Sequence, residues 1–185
     1  WWLVLVFLLL GLGAIYAAIR YTSGKNPYGY KGLGDLFVLI FFGLVGVGGS
    51  YFLHTQAWDW LIMLPALGCG LLAVGVLNVN NIRDIHSDEL SGKRSIPVRI
   101  GRVNAVYYHW FLLLGALACA VSYTIANYQS YWQWLFVVTL PLLLINGQAV
   151  KSKTRAVELD PYLKQLAMTT LLYVVTFGLG LLLSQ

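Results

Sequence analysis

Long apolar runs separated by short polar segments dominate the pattern of this chain. Six runs reach the roughly 17–25 residues that cross the hydrocarbon core of a bilayer as a helix. They cover about 1–19, 36–53, 60–77, 103–125, 131–150 and 166–184. A β-barrel would show short segments of alternating polarity instead. The pattern predicts an all-α fold, a polytopic transmembrane helix bundle in which residues 1–185 form a single membrane domain.

Composition agrees with this pattern. The chain is 59% hydrophobic and 10% charged, with a mean hydropathy of +0.72, whereas a soluble domain carries about 25% charged residues. The net charge of +5 is not a stripe on a soluble surface, so it does not indicate a nucleic-acid partner. The partner that composition implies is the lipid bilayer.

The basic residues predict the topology. All twelve Lys and Arg lie in three polar loops that alternate with loops carrying none. These loops hold Arg20, Lys25 and Lys31; Arg83, Lys93, Arg94, Arg99 and Arg102; and Lys151, Lys153, Arg155 and Lys164. The positive-inside rule puts these loops in the cytoplasm. Both termini of this chain are then expected outside, and the regular alternation supports six spans.

The most informative polar segment follows the third run and contains Asp84 and Asp88. Residues four apart on a helix project from one face. Two carboxylates on one face at the end of a membrane span are costly unless a cation uses them. Mg²⁺ takes one or two carboxylates and completes its shell with water and substrate phosphate. The competing interpretation is that both aspartates form ion pairs in a solvated loop.

Neighbouring residues favour a site for a metal and a diphosphate. Arg83, Lys93 and Arg94 lie close in sequence, and cations beside a carboxylate–Mg²⁺ centre would stabilise a departing diphosphate. Asn78 and Asn81 could orient the carboxylates or supply a carbonyl ligand.

Glycine, proline and other turn-forming residues in the loops predict further local features. The segment 21–35 is rich in Gly, Pro, Asn and Tyr, which predicts a turn-rich loop, either an interfacial aromatic belt or a cap over an active site. Gly92 suits a helix stop, and Pro97 prevents a helix from continuing undisturbed. The pair Asp160-Pro161 predicts a helix start. Glycines in the second and third spans are expected to let those helices pack closely.

Two long motifs carry a resemblance to a known family. The second-loop pattern Asn78-x-x-Asn81-x-Arg83-Asp84-x-x-x-Asp88, followed by Gly-Lys-Arg-Ser and Val-Arg-Ile-Gly-Arg, resembles the second aspartate-rich motif of the UbiA-type intramembrane prenyltransferases. The loop that begins Tyr21-Thr-Ser-Gly and ends Gly-Leu-Gly-Asp35 is also similar. The motif residues most resemble those of the branch of this family that prenylates 1,4-dihydroxy-2-naphthoate in menaquinone synthesis.

The resemblance implies a fold and a reaction. The family fold is a nine-helix bundle around a cavity open to the membrane, of which six spans occur here. Mg²⁺ and polyprenyl diphosphate bind on the cytoplasmic side of a bacterial inner membrane. The diphosphate leaves, an allylic cation forms, and the naphthoate ring attacks it and loses its carboxylate, giving demethylmenaquinone.

Site residues follow from the matched motif positions. Asp84 and Asp88 are the expected metal ligands, and with Arg83 they are the expected catalytic residues. The residues expected to bind the diphosphate are Asn78, Asn81, Lys93, Arg94, Tyr21 and Lys25.

One part of the family pattern does not occur in these 185 residues. The first aspartate-rich motif and three helices are absent, so we expect this polypeptide alone to be inactive, either as a fragment or with its other half on a separate chain. Prenyl transfer to another aromatic acceptor, such as 4-hydroxybenzoate, is the near alternative. A membrane transporter is less favoured, because it would place ionisable residues deep within the spans.

Overall fold

The structure, a computed structural model, describes residues 1–24 and 27–185. Every regular element in those residues is helical, which confirms the all-α prediction. The α-helices are α1 (Trp2–Thr22), α2 (Gly34–Val38), α3 (Ser50–Thr55), α4 (Met63–Arg83), α5 (Ile85–Leu90), α6 (Ile96–Ala126), α7 (Leu140–Ser152) and α8 (Ala156–Leu182). A π-helix, Leu39–Gly49, joins α2 to α3, and 3₁₀-helices occupy Tyr28–Lys31, Trp60–Ile62 and Tyr131–Thr139.

These elements form six continuous segments that are long and apolar enough to cross a membrane. They are Trp2–Tyr21, Gly34–Thr55, Trp60–Arg83, Ile96–Ala126, Tyr131–Ser152 and Ala156–Leu182. Each overlaps one of the six predicted runs. The fourth and sixth begin well before the predicted apolar run, because a helix continues through polar residues that an apolar window leaves out. The chain is therefore a multi-pass membrane protein.

Helix α4 lies at the centre of the packing and contacts α6, α8 and the π-helix. Leu72 of α4, Leu113 of α6 and Leu166 of α8 share one buried core. A Cβ built on Gly43 would lie 2.6 Å from the Ala66 carbonyl oxygen, so the π-helix approaches α4 backbone to backbone. The predicted packing role of the glycines is confirmed at this crossing.

One local expectation was wrong, and a second was confirmed only in part. Helix α8 begins at Ala156, not at the Asp160-Pro161 pair, and Pro161 lies inside it. The reason is a capping box in which Glu158 accepts a hydrogen bond from the backbone N–H of Arg155 and closes an earlier first turn. The segment 21–35 is also more helical than expected, since α1 continues through Tyr21 and α2 begins at Gly34.

The start of α6 explains how a proline is tolerated there. Pro97 lies in the first turn, where its missing N–H costs nothing. The expected disturbance occurs slightly later, at Gly101, whose φ of 78° and ψ of 159° kink the helix. This left-handed φ requires glycine.

Candidate active site at the polar end of the bundle

The three basic loops meet at one end of the bundle. Arg83 at the end of α4 lies 2.9 Å from Asp160 near the start of α8. Arg102 in α6 donates to the Val150 carbonyl in α7 at 3.1 Å. A third contact joins Arg99 to the Lys31 carbonyl. The three loops that carry the basic residues, which alternate along the sequence with uncharged loops, thus lie at the same end of the bundle.

Asp84 lies at the junction between α4 and α5. Its φ of −95° and ψ of 11° end the first helix, and α5 starts with the next residue. Arg83 holds both carboxylate oxygens, with Nε 2.7 Å from Oδ1 and Nη2 2.9 Å from Oδ2. This fork-like pairing is the geometry that guanidinium and carboxylate groups favour.

Asp88 lies on α5 and is nearly buried. Its Oδ2 is 2.8 Å from Lys93 Nζ, but the approach lacks hydrogen-bond geometry, so this buried oxygen has no hydrogen bond from the described residues. The backbone N–H of Lys93 donates to the Asp88 carbonyl at 2.8 Å. That bond closes the turn through Gly92, whose φ of +75° confirms the predicted helix stop.

The spacing argument for the two aspartates needs a correction. They do not project from one uninterrupted helix, because the helix breaks at Asp84. Each carboxylate contacts a different cation: Asp84 contacts Arg83, and Asp88 contacts Lys93. One helical hydrogen bond still joins the two positions, from the Asp88 N–H to the Asp84 carbonyl at 2.8 Å.

Lys93 connects the two polar segments of the second loop. Its Nζ donates to Oδ1 of Asn81 at 3.1 Å, and Asn81 is 3% exposed. The predicted site residues Asn81, Asp88 and Lys93 therefore form one contiguous cluster.

Asn78 and Arg94 contribute differently from this cluster. Asn78 is fully buried and donates through Nδ2 to the Ala105 carbonyl of α6 at 3.2 Å, so it ties α4 to α6. Arg94 is exposed, and its side chain makes no hydrogen bond or ion pair with the described part of the chain. Its backbone N–H donates to the Tyr30 carbonyl at 2.8 Å, which leaves its guanidinium available for an anion.

Tyr21 at the end of α1 faces the same cluster. Its ring packs edge-on against Tyr28 with a centroid separation of 5.5 Å. Together with Asp88 and Lys93 it lines a cavity of about 240 Å³. The structure thus brings one residue of the first loop motif to two residues of the second. Lys25, the other predicted residue of the first motif, lies outside the described residues.

The sequence analysis missed three residues near this cluster as site residues: Asp35, Tyr108 and Asp160. Tyr108 of α6 donates to Asp35 Oδ2 at 3.0 Å, and Asp35 is 9% exposed. Asp35 follows Gly34, where a Cβ would lie 3.1 Å from the Tyr21 ring, so the carboxylate is close to the Tyr21 side of the cluster. A lone aspartate at the start of an apolar run was the available signal, since a charge there is expensive without a role. For Asp160, the second partner of Arg83, the sequence predicted only a helix start.

Oxygen chemistry makes this cluster compatible with Mg²⁺. No group of three or more His, Cys, Asp or Glu in residues 1–24 and 27–185 is arranged to hold a metal. Two carboxylates are what Mg²⁺ takes from a protein when water and phosphate complete its shell. The buried Oδ2 of Asp88 has no hydrogen bond from the described residues, but Lys93 Nζ lies 2.8 Å from it, so a metal ion would have to replace the ammonium group at this oxygen. The two carboxylates are oxygen donors of the kind that Mg²⁺ prefers.

The fold and site define a class of protein. It is a polytopic helical membrane protein whose basic end encloses a small cavity lined by a carboxylate, an ammonium group and a tyrosine. The sequence profile of the UbiA prenyltransferase family matches residues 1–166. The chain belongs to this family.

Several curated proteins are similar to the chain along nearly its whole length. A 1,4-dihydroxy-2-naphthoate octaprenyltransferase of Haemophilus influenzae is 48% identical over 94% of the chain and 56% of its own length. The protein of that name from Escherichia coli is 45% identical over 97% of the chain and 58% of its own length. One from Mycobacterium leprae is 32% identical over 99% of the chain and 60% of its own length. The chain therefore spans less than two thirds of these relatives. No solved structure matches the chain.

Proposed function

We propose that this chain belongs to an enzyme that transfers a polyprenyl group from polyprenyl diphosphate to 1,4-dihydroxy-2-naphthoate. The acceptor loses its carboxylate as CO₂, diphosphate is released, and the product is the quinol form of demethylmenaquinone. The observation that carries the proposal is 45–48% identity, over 94–97% of the chain, to two proteins named as octaprenyltransferases for this acceptor.

The cavity beside Tyr21 suits the diphosphate end of the donor. Lys93 supplies an ammonium group in the cavity wall, and the exposed guanidinium of Arg94 lies one residue away. The bond between the first prenyl carbon and the diphosphate oxygen breaks in this reaction, and negative charge grows on the leaving oxygen. Fixed cations at that point lower the barrier because they stabilise the charge as it develops.

The prenyl end of the donor needs an apolar path that starts at the same point. Tyr21 also lines a second cavity of about 560 Å³ between α1 and the segment formed by α2 and the π-helix. The walls of that cavity are almost entirely apolar and include Ala17, Phe37 and Phe41. Since Tyr21 lines both cavities, a molecule with a charged head and a hydrocarbon tail could lie across it.

Asp84 and Asp88 would hold Mg²⁺ in this proposal. The ion would supply charge neutralisation for the departing diphosphate. Arg83 would keep Asp84 oriented through its two-point contact, and Asn81 would orient Lys93.

We further propose that the polar end faces the cytoplasm of a bacterial inner membrane. The support is that three segments of the sequence hold all twelve Lys and Arg and alternate with segments that hold none. Labelling of single cysteines in intact cells tests it: Ser91→Cys should resist a membrane-impermeant maleimide, and Trp58→Cys at the opposite end should react.

The function is tested with Asp84→Asn and Asp88→Asn in the full-length protein that contains this chain. The assay supplies octaprenyl diphosphate, dihydroxynaphthoate and Mg²⁺, with 4-hydroxybenzoate as an alternative acceptor. Both variants should lose at least about 100-fold in kcat/KM. Asp59→Asn at the opposite end removes the same charge and should retain activity. Unchanged turnover in both site variants would defeat the metal-ligand assignment, and a wild-type preference for 4-hydroxybenzoate would defeat the acceptor.

A further inference from the structure

Arg99 at the start of α6 joins the first and second basic loops. Its Nε donates to the Arg94 carbonyl at 3.0 Å, and its Nη2 donates to the Lys31 carbonyl. Beside it, the Arg94 N–H donates to the Tyr30 carbonyl at 2.8 Å. One guanidinium and one backbone bond therefore hold the segments 28–32 and 93–99 together.

Gly32 makes this close approach possible. Its φ of +68° is in the left-handed region that favours glycine. A Cβ at this position would lie 2.5 Å from the Arg94 carbonyl oxygen and 2.9 Å from Arg99 Nε. Any side chain at position 32 would separate the two loops or displace the guanidinium.

Both loops contribute to the lining of the small cavity. Gly29 and Tyr30 of the first loop line it together with Tyr21, and Ser91 and Lys93 line it from the second. Gly29 also packs directly on Tyr21, since a Cβ there would lie 2.6 Å from the Tyr21 carbonyl oxygen. A change in the distance between the loops would therefore change the separation of Tyr21 from Lys93.

We propose that Arg99 is a positioning residue that sets the width of this cavity by holding the two loops in register. The proposal rests on the proposed function in one respect, that the cavity receives the diphosphate. Arg99 acts through backbone carbonyls, so its contribution depends on its donors more than on its charge. Its neighbour Lys31 contributes a carbonyl to the contact and carries an exposed side chain, which provides a charge-matched control.

The first measurement is hydrogen–deuterium exchange of the full-length protein in detergent, followed in peptides covering 27–33 and 91–98. Arg99→Ala should accelerate exchange in both peptides by about tenfold, the size expected for losing a charge-assisted hydrogen bond. Arg99→Lys, which keeps the charge and some donors, should fall between wild type and Arg99→Ala. Lys31→Ala should exchange like wild type. Gly32→Ala should accelerate exchange more than Gly92→Ala, which has a similar positive φ but no atom within 4 Å of its Cβ.

The second measurement is steady-state kinetics with both substrates varied. Arg99→Ala should raise the KM for polyprenyl diphosphate about tenfold, with little change in the KM for the naphthoate. Unchanged exchange in Arg99→Ala would overturn the loop contact. Faster exchange with an unchanged KM for the diphosphate would overturn the positioning role. Exchange is measured without turnover, so failure of the wild type to prenylate dihydroxynaphthoate would defeat the proposed function and leave the loop contact to be judged by exchange.

Discussion

Lys93 Nζ lies 2.8 Å from Asp88 Oδ2, and the two side chains are only 16% and 10% exposed. The ammonium group occupies the position from which a cation would approach this carboxylate. Lys93 therefore stabilises Asp88 in this arrangement, and it would compete with a metal for the same oxygen. A bound diphosphate would give the ammonium a second anion to contact, and the competition for Asp88 would then be relieved.

Replacing Lys93 should separate metal binding from substrate binding. In Lys93→Gln, Mg²⁺ should bind the substrate-free protein several-fold more tightly, because no ammonium competes for Asp88. The KM for polyprenyl diphosphate should rise by about tenfold or more, because a charge-assisted contact is lost. Titration of Mn²⁺ as a paramagnetic substitute measures the first effect, and kinetics measures the second. Lys164→Gln removes an equal charge from the third basic loop and should change neither; weaker metal binding in Lys93→Gln would contradict the competition.

Removing Asp160 should make Asp84 a poorer metal ligand. Arg83 divides its donors between Asp84 and Asp160, so Asp160→Asn leaves the guanidinium paired with Asp84 alone. The Mg²⁺ concentration for half-maximal activity should rise by about two- to fivefold, the effect of a partly exposed ion pair. Glu158→Gln is the control, since Glu158 is on the same helix but pairs with Arg155 and Lys153. An unchanged Mg²⁺ requirement in Asp160→Asn would show that Arg83 does not couple the two aspartates.

The six spans and the basic end were predictable because each depends on a repeated local property. Apolar runs of sufficient length define spans, and Lys and Arg confined to alternate loops define one end. The helix break at Asp84 was not predictable in this way. Asp84 is neither glycine nor proline, so no helix-breaking residue marks the position, and its side chain contacts Arg83 and Asn80 there.

Only part of the candidate site was predictable. The difference between the residues that were predicted and those that were not has a physical cause. Asn81, Asp88 and Lys93 were named from one motif, because their separations along the chain are short. Asp35 ended the first loop motif but was not named as a site residue, because its partner Tyr108 is 73 residues away and on another helix. Contacts between distant segments depend on packing that a single sequence does not display.

The hydrogen bond between Tyr108 and Asp35 should affect the KM for polyprenyl diphosphate less than the charge of Asp35 does. Tyr108→Phe removes one hydrogen bond and should reduce thermal stability by about 1 kcal/mol with little effect on KM. Asp35→Asn keeps an acceptor for the Tyr108 hydroxyl but removes a negative charge close to Tyr21. We expect it to change the KM for polyprenyl diphosphate by at least about threefold. Kinetic constants for both variants, each compared with Tyr107→Phe on the exposed side of α6, test the ranking; a larger KM change in Tyr108→Phe would reverse it.

A polar network inside the bundle should determine stability without affecting the site. Asn146 of α7 is fully buried and donates to Gln165 Oε1 at 2.6 Å and to the Tyr162 carbonyl at 2.8 Å, both in α8. Its Oδ1 lies 3.0 Å from His109 Nε2 in α6. The amide therefore joins three helices through a single side chain.

Asn146→Leu would leave polar groups of His109 and Gln165 buried without this partner. Interhelical hydrogen bonds in membrane proteins contribute about 0.6 kcal/mol each, and an unsatisfied buried group adds about 1–3 kcal/mol. A loss of about 2 kcal/mol corresponds to a fall of roughly 4–8 °C in the melting temperature of a protein of this size. Thermal unfolding in detergent measures the fall, with Asn104→Ala on the exposed face of α6 as control. The activity of the folded fraction should match wild type, because Asn146 contacts none of the residues that line the cavity beside Tyr21; an Asn146→Leu protein as stable as wild type would show that the network does not hold the three helices together.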